Sequence, residues 1–90
     1  MYVWDADKSA ANQCKHGISF EQARDHIFEG RNLLAVGVAH QGNEIRHAVI
    51  GTFDGHYYVA IFTMRSDAVR IISVRRARDE EKRTAKVQGL

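Results

Sequence analysis

The sequence predicts an α+β fold: two N-terminal helices packed on a mainly antiparallel sheet of roughly four or five strands, with a C-terminal helix. Three observations point there. Apolar residues recur at helical spacing only in the first third of the chain. The middle reads as apolar runs separated by turn signals. The last stretch is charged, with a few alanines on one side. At 90 residues the chain fits a single domain over 1–90, able to bury one modest core.

Each element has a local reason. Residues 2–4 read as a short strand. Asp5 is placed to cap a helix running to about His16. Gly17 suits the left-handed position that ends a helix, with Lys15 and His16 in the last turn, where cations complement the helix dipole. Ser19 with Gln22 three residues on spells a capping box. The second helix runs from Phe20 to Phe28, with Phe20, Ala23 and Ile27 on one face and Gly30 as its stop. An apolar run from Asn32 to Ala39 ends at Gln41-Gly42-Asn43. Strands follow at Ile45–Phe53, His56–Met64 and Val69–Arg75. Asp54-Gly55 is a two-residue hairpin turn of type I′, and Arg65–Ala68 is a short polar loop. A charged helix is expected from about Arg76 to Lys86, with Ala77, Ala85 and Val87 as its apolar side.

The turns set a register. If Asp54-Gly55 is the whole first loop, Phe53 faces His56, and Arg46 falls opposite Thr63. If Arg65–Ala68 is the second, Thr63 falls opposite Arg70. Directly opposite side chains share a face, so Arg46, Thr63 and Arg70 form one row, followed by Ala48–Ile61–Ile72 and Ile50–Val59–Val74. That face is apolar with a cationic end, and Arg65 points to the same side. Ser73 and Arg75 are expected on the opposite face.

Charge is uneven. Eight of the 13 Lys and Arg residues, but four of the 11 acidic ones, lie from Arg65 onward. A cationic C-terminal third suits an anionic partner. Cys14 is the only cysteine, so no internal disulfide forms; a small buried side chain on the first helix is expected. No signal-like or membrane-spanning apolar run is legible, and a reducing cytoplasm, without membrane contact, is the expected compartment. His16, His26, His40, His47 and His56 lack paired-ligand spacing. No CxxC, glycine-rich phosphate loop or GxSxG occurs. Neither a metal nor another cofactor is expected.

Two arginines and a threonine along a sheet edge suit a phosphate, because the guanidinium fork matches two phosphate oxygens. The same arginines can equally pair with Glu44 or Asp67. Lys15 and His16 can likewise simply finish a helix or meet a phosphate.

The run Trp4-Asp5, Lys8, Asn12, then Lys15-His16-Gly17-Ile18-Ser19-Phe20 resembles the opening of BrnT-type toxins of bacterial type II toxin–antitoxin modules. Glu44-Ile45-Arg46 with Ile50-Gly51, then Phe62-Thr63-Met64-Arg65, then Arg70-Ile71-Ile72-Ser73-Val74-Arg75-Arg76-Ala77 resemble their later segments, in order, from about residue 4 to residue 81. The resemblance implies a compact RelE-like fold and a ribonuclease that cleaves RNA and inhibits translation. It also implies a cognate BrnA-like ribbon-helix-helix antitoxin, with operator DNA bound only through that partner. The positions matching the family's basic motif residues are Lys15, His16, Arg46, Arg65, Arg70 and Arg75. Two departures stand out. Glu29-Gly30-Arg31 replaces an acidic, proline-containing turn. Ala85 stands where a tyrosine four residues beyond the glutamate is usual, which leads us to expect a last helix frayed beyond Thr84, with residues 88–90 disordered.

RNA can be cut without metal if its own 2′-hydroxyl attacks the adjacent phosphate. Such a reaction needs a base, an acid and cations on the transition state. The catalytic candidates are His16, as the acid–base group because imidazole is the side chain suited to proton transfer near neutral pH, and Arg46, Arg65 and Arg70. Lys15, Thr63, Ser73, Arg75 and Arg76 are the expected RNA contacts. The rival reading is a non-catalytic RNA-binding or protein-binding module using the same basic edge.

Overall fold

A computed structural model describes residues 1–30 and 33–90. The elements are β1 (Tyr2–Val3), α1 (Ala6–His16), α2 (Phe20–Ala23) with a π-helical continuation (Arg24–Phe28), β2 (Leu34–Gln41), β3 (Glu44–Phe53), β4 (His56–Arg65), β5 (Ala68–Arg76) and α3 (Asp79–Val87). The start expected at Asn32 for the apolar run, and Arg31 of the preceding turn, lie outside the described residues.

The N-terminal caps form as their residues dictate. The Asp5 carboxylate accepts the Asp7 and Lys8 amides at 2.9 and 3.1 Å. Gly17 adopts φ 78° and its amide closes on the Gln13 carbonyl. Ser19 and Gln22 bond reciprocally at 3.1 and 2.9 Å. The second helix covers the expected span, but from Arg24 it widens into a π-helical turn. That turn presses Ile27 against β3. A Cβ on Gly51 would lie 2.9 Å from Ile27 Cγ2, so only glycine admits this approach.

The strands make one mixed sheet of order β1-β5-β4-β3-β2, antiparallel except for β1 against β5. Asp54 and Gly55 take φ 53° and 77°, as a type I′ turn requires, and Phe53 faces His56. Thr63 faces Arg70 and Met64 faces Val69, as counted from the second turn. That turn is tighter than expected: Arg65 and Ala68 pair with each other, leaving Ser66-Asp67 as the loop, with Ser66 at φ 54°.

Beyond Ile71 the register departs from expectation. A bulge at Ile72 places Ser73 opposite Ile61 and Arg75 opposite Val59. The expected rows Ala48–Ile61–Ile72 and Ile50–Val59–Val74 are therefore wrong on β5. One inserted residue exchanges the two faces for everything after it. Ser73 and Arg75 consequently share the face of Thr63 and Arg70 instead of pointing away from it.

Helices cover both sides of the sheet. Helices α1 and α2 bury Ile18, Phe20, Ala23 and Ile27 against Val49, Tyr58, Ala60, Ile71 and Val74. Each large apolar side chain fully buried there contributes on the order of 1.5–3 kcal/mol. On the other side, Ala77 and Ala85 close over Ile50 and Val59. Helix α3 is not frayed beyond Thr84. It runs to Val87, the Leu90 amide bonds the Ala85 carbonyl, and the Tyr57 hydroxyl donates to the Leu90 carbonyl at 2.8 Å. The small Ala85 lets the helix sit directly on Val59, and the chain end is tied down by Tyr57 instead. Val87 is exposed and not part of the apolar side. Cys14 is exposed as well, contrary to expectation, because α1 turns Ser9 and Asn12 inward. No helix among the described residues is long and apolar enough to cross a membrane.

Candidate functional site

The ends of three strands and the start of α1 converge at one end of the sheet. Glu44 opens β3, and Arg46, two residues on, lies on the same side of the strand. Arg65 closes β4, and Arg70 lies on β5 opposite Thr63. Arg46 Nε meets Glu44 Oε1 at 3.0 Å, and Arg65 Nη2 lies 3.7 Å from Glu44 Oε2. The hydrogen bond from Arg46, with the charges of Arg46, Arg65 and Arg70, holds the Glu44 carboxyl below the usual carboxylate range. Thr63 is buried and donates its hydroxyl to the Ile45 carbonyl at 2.9 Å, fastening β3 to β4 beside the arginines.

A recess of about 170 Å³ lies here, lined by Asp5, Lys8, Glu44, Arg46, Arg65, Arg70, Ile71 and Ile72. Four cations face two carboxylates, so the recess carries net positive charge. Sequence reasoning missed Lys8 and Asp5 as members of this group. The available signal was the two-residue strand β1: pairing Val3 with Arg70 delivers the first turn of α1 to the arginines. That pairing joins residues far apart in the chain, and no local pattern announces it.

The other expected residues are elsewhere. His16 ends α1, and its carbonyl accepts the Tyr58 hydroxyl at 3.4 Å. At 1.5 Å per residue, it stands about 12 Å along α1 from Lys8. Tyr58 is five residues along β4 from Thr63, roughly 16 Å, and packs with the opposite face. Exposed Lys15 accompanies His16. Neither side chain is brought to the Arg46–Arg65–Arg70 recess. Arg76 shares the His16 end: its guanidinium lies 5.6 Å from the Tyr58 ring centroid and 3.0 Å from His56 Nδ1. Ser73, half-buried, faces Ile61. Arg75 commits its fork to Glu81, at 2.8 and 2.9 Å. That pair pulls the Glu81 carboxyl down to about 2, helped by the Arg78 amide.

Such an arrangement can hold an anion. The guanidinium groups of Arg46, Arg65 and Arg70, with the Lys8 ammonium, offer several charge-assisted donors to phosphate oxygens. Glu44 supplies an ionised acceptor among them. Among the described residues no group of three or more His, Cys, Asp or Glu side chains is placed to hold a metal ion.

No curated protein and no solved structure matches the chain. A family model described as a ribonuclease toxin, BrnT, of type II toxin–antitoxin systems matches residues 4–81. The match begins directly after β1 and takes in α1 with Lys8, all the strands that carry the arginines, and the first turn of α3. The chain belongs to the BrnT family of ribonuclease toxins of type II toxin–antitoxin systems.

Proposed function

We propose that the protein is a metal-independent endoribonuclease acting in the cytoplasm, whose cleavage of RNA inhibits translation, and that the Lys8–Arg46–Arg65–Arg70 recess is its phosphate site. The observation that carries this reading is the Glu44 carboxylate held between Arg46 and Arg65 in a recess whose net charge stays positive. Glu44 takes the proton of the 2′-hydroxyl as that oxygen attacks phosphorus. Arg46, Arg65 and Arg70 stabilise the charge that builds on the phosphorane-like transition state. The bond to the 5′-oxygen breaks, and Lys8 gives that oxygen a proton. The products are a 2′,3′-cyclic phosphate and a 5′-hydroxyl end.

The partner in this reading is a BrnA-like ribbon-helix-helix antitoxin that covers the recess. Operator DNA is reached only through it. Thr63 holds the strands that position the arginines, and Arg75 with Glu81 anchors α3. Lys15, His16, Ser73 and Arg76 lie outside the recess. Any part they take is in contacts to more distant nucleotides.

The test is single-turnover cleavage of a defined RNA in EDTA by wild-type and Glu44→Gln protein. Removing the carboxylate removes the base and raises the local positive charge. Glu44→Gln is expected to bind RNA more tightly yet cleave it about a hundredfold more slowly. Equal rates would remove Glu44 from the chemistry. RNA left intact by folded wild-type protein that still binds it would favour the non-catalytic module.

A further inference from the structure

On the other side of the Glu44–Arg65 pair the sheet opens into a second, larger recess of about 530 Å³. Glu44 and Arg65 line both recesses. The rest of its wall holds no Asp, Glu, Lys or Arg: Gln41 at the end of β2, Asn43 from the β2–β3 turn, then Ile45, His47, Thr63 and Met64. Ile45 and Met64 are large apolar side chains left 45% and 50% exposed. The His47 ring stacks on Phe62 at 5.2 Å and 25° between planes, and Phe62 is backed edge-on by Phe28 at 5.2 Å. The ring wall is thus fixed from behind by the core. Among the described residues, the side-chain amides of Gln41 and Asn43 make no hydrogen bond to the protein.

We infer that this recess is a nucleobase subsite, and that it holds the base of a nucleotide whose phosphate lies in the Lys8–Arg46–Arg65–Arg70 recess. The inference rests on the phosphate reading of that recess. Single-stranded RNA offers unstacked bases, each with an apolar face and a polar edge. Met64, Ile45 and the His47–Phe62 stack supply the apolar contact, and a thioether adapts to any flat ring. The Gln41 and Asn43 amides each present a donor and an acceptor, the complement of a base edge. A charged peptide segment fits this wall less well, because its middle offers no counter-charge. The volume falls in the range of small-molecule sites, roughly 300–1,000 Å³. Sequence preference in cleavage then comes from the β2–β3 turn and the end of β4, while the arginines act on any phosphate.

The chain has two methionines, so methyl-labelled protein reports the subsite with a reference signal: Met64 lines the recess, whereas exposed Met1, whose carbonyl accepts the Val69 amide, does not. The probes are the four nucleoside 5′-monophosphates and ribose 5-phosphate as the base-free ligand, titrated by NMR. Both kinds of ligand are expected to move the Arg46, Arg65 and Arg70 side-chain signals. Only the nucleotides should move the Met64 methyl and the His47 ring, leaving Met1 still, and they should bind about fivefold or more tightly than ribose 5-phosphate. Met64→Ala should reduce that advantage without changing ribose 5-phosphate affinity. Nucleotides that bind no more tightly than ribose 5-phosphate, or that leave Met64 and His47 unmoved, would overturn the subsite. Arginine signals that ignore ribose 5-phosphate would instead count against the phosphate recess, and the Met64 response to nucleotides would still decide the subsite by itself.

Discussion

Asn12 on α1 completes the hydrogen bonding of Val74 on β5. Its Oδ1 accepts the Val74 amide at 3.2 Å, and its Nδ2 donates to the Ile18 carbonyl at 2.8 Å. Strand β1 pairs with β5 only at Val69 and Arg70, so beyond Arg70 a side chain takes over from the missing strand. Both backbone groups are buried, and each would be left without a partner if the amide were lost. Asn12→Ala is expected to destabilise the fold by about 2–3 kcal/mol. Asn12→Asp should be worse, since a carboxylate cannot donate to Ile18. Urea unfolding of the two variants checks the magnitude and the order; a loss below the error of the measurement would remove Asn12 from the fold's supports.

The Arg75–Glu81 pair makes a pH prediction. The folded protein holds the Glu81 carboxyl at about 2, below its ordinary 4.5, through the Arg75 fork first and the Arg78 amide next. A depressed carboxyl stabilises the fold wherever it is ionised in both states. That contribution is complete above about pH 5 and is lost as pH falls from about 4.5 towards 2. Thermal unfolding of wild type should therefore steepen in that window. Glu81→Gln should flatten it, at a cost of about 1–2 kcal/mol at neutral pH. Parallel profiles for the two proteins would show that the pair contributes nothing to docking α3.

The position of His16 separates two accounts of cleavage. Its carbonyl is tied to Tyr58, at the end of the sheet remote from Arg70. His16→Gln is expected to keep cleavage within a few-fold of wild type and to cost a few tenths to about one kcal/mol of stability. Arg70→Ala should slow cleavage by about a hundredfold. Combined with Glu44→Gln, Arg70→Ala should give a loss smaller than the product of the two, because both act on one phosphate. Single-turnover rates decide it. A hundredfold loss in folded His16→Gln protein would move the acid–base chemistry to the His16 end.

Membership in a type II toxin–antitoxin family implies an antitoxin partner, and in the proposed reading that partner covers the recess with net positive charge. Expression of the chain alone is expected to arrest growth, and co-expression of its antitoxin to restore it. An acidic antitoxin segment folding over Arg46, Arg65 and Arg70 would pair charge and exclude RNA. Binding of the antitoxin by Arg65→Glu, Arg70→Glu protein should fall by about tenfold or more and lose most of its salt dependence. Unchanged affinity would place the antitoxin on another surface.

Local chemistry was legible from the residues alone. Asp5, Gly17, Ser19 with Gln22, and Asp54-Gly55 each act within about four positions of themselves, so caps, helix ends and the β3–β4 hairpin follow from neighbours in the chain. The Thr63–Arg70 row follows in turn, because two short turns carry the count across three strands. The placement of Lys8 beside Arg70, the bulge at Ile72, the seat of α3 on the face opposite α1, and the exposure of Cys14 were decided only in three dimensions. Each depends on groups brought together from distant parts of the chain: β1 laid parallel to β5, one extra residue absorbed against β4, Ala85 fitted over Val59, Asn12 turned in to reach Val74. Periodicity records which side of an element is apolar, but not which neighbour will cover it. The separation of His16 from the arginines has the same cause, since motif spacing orders residues along the chain while the length of α1 and the two faces of the sheet set their distance in space.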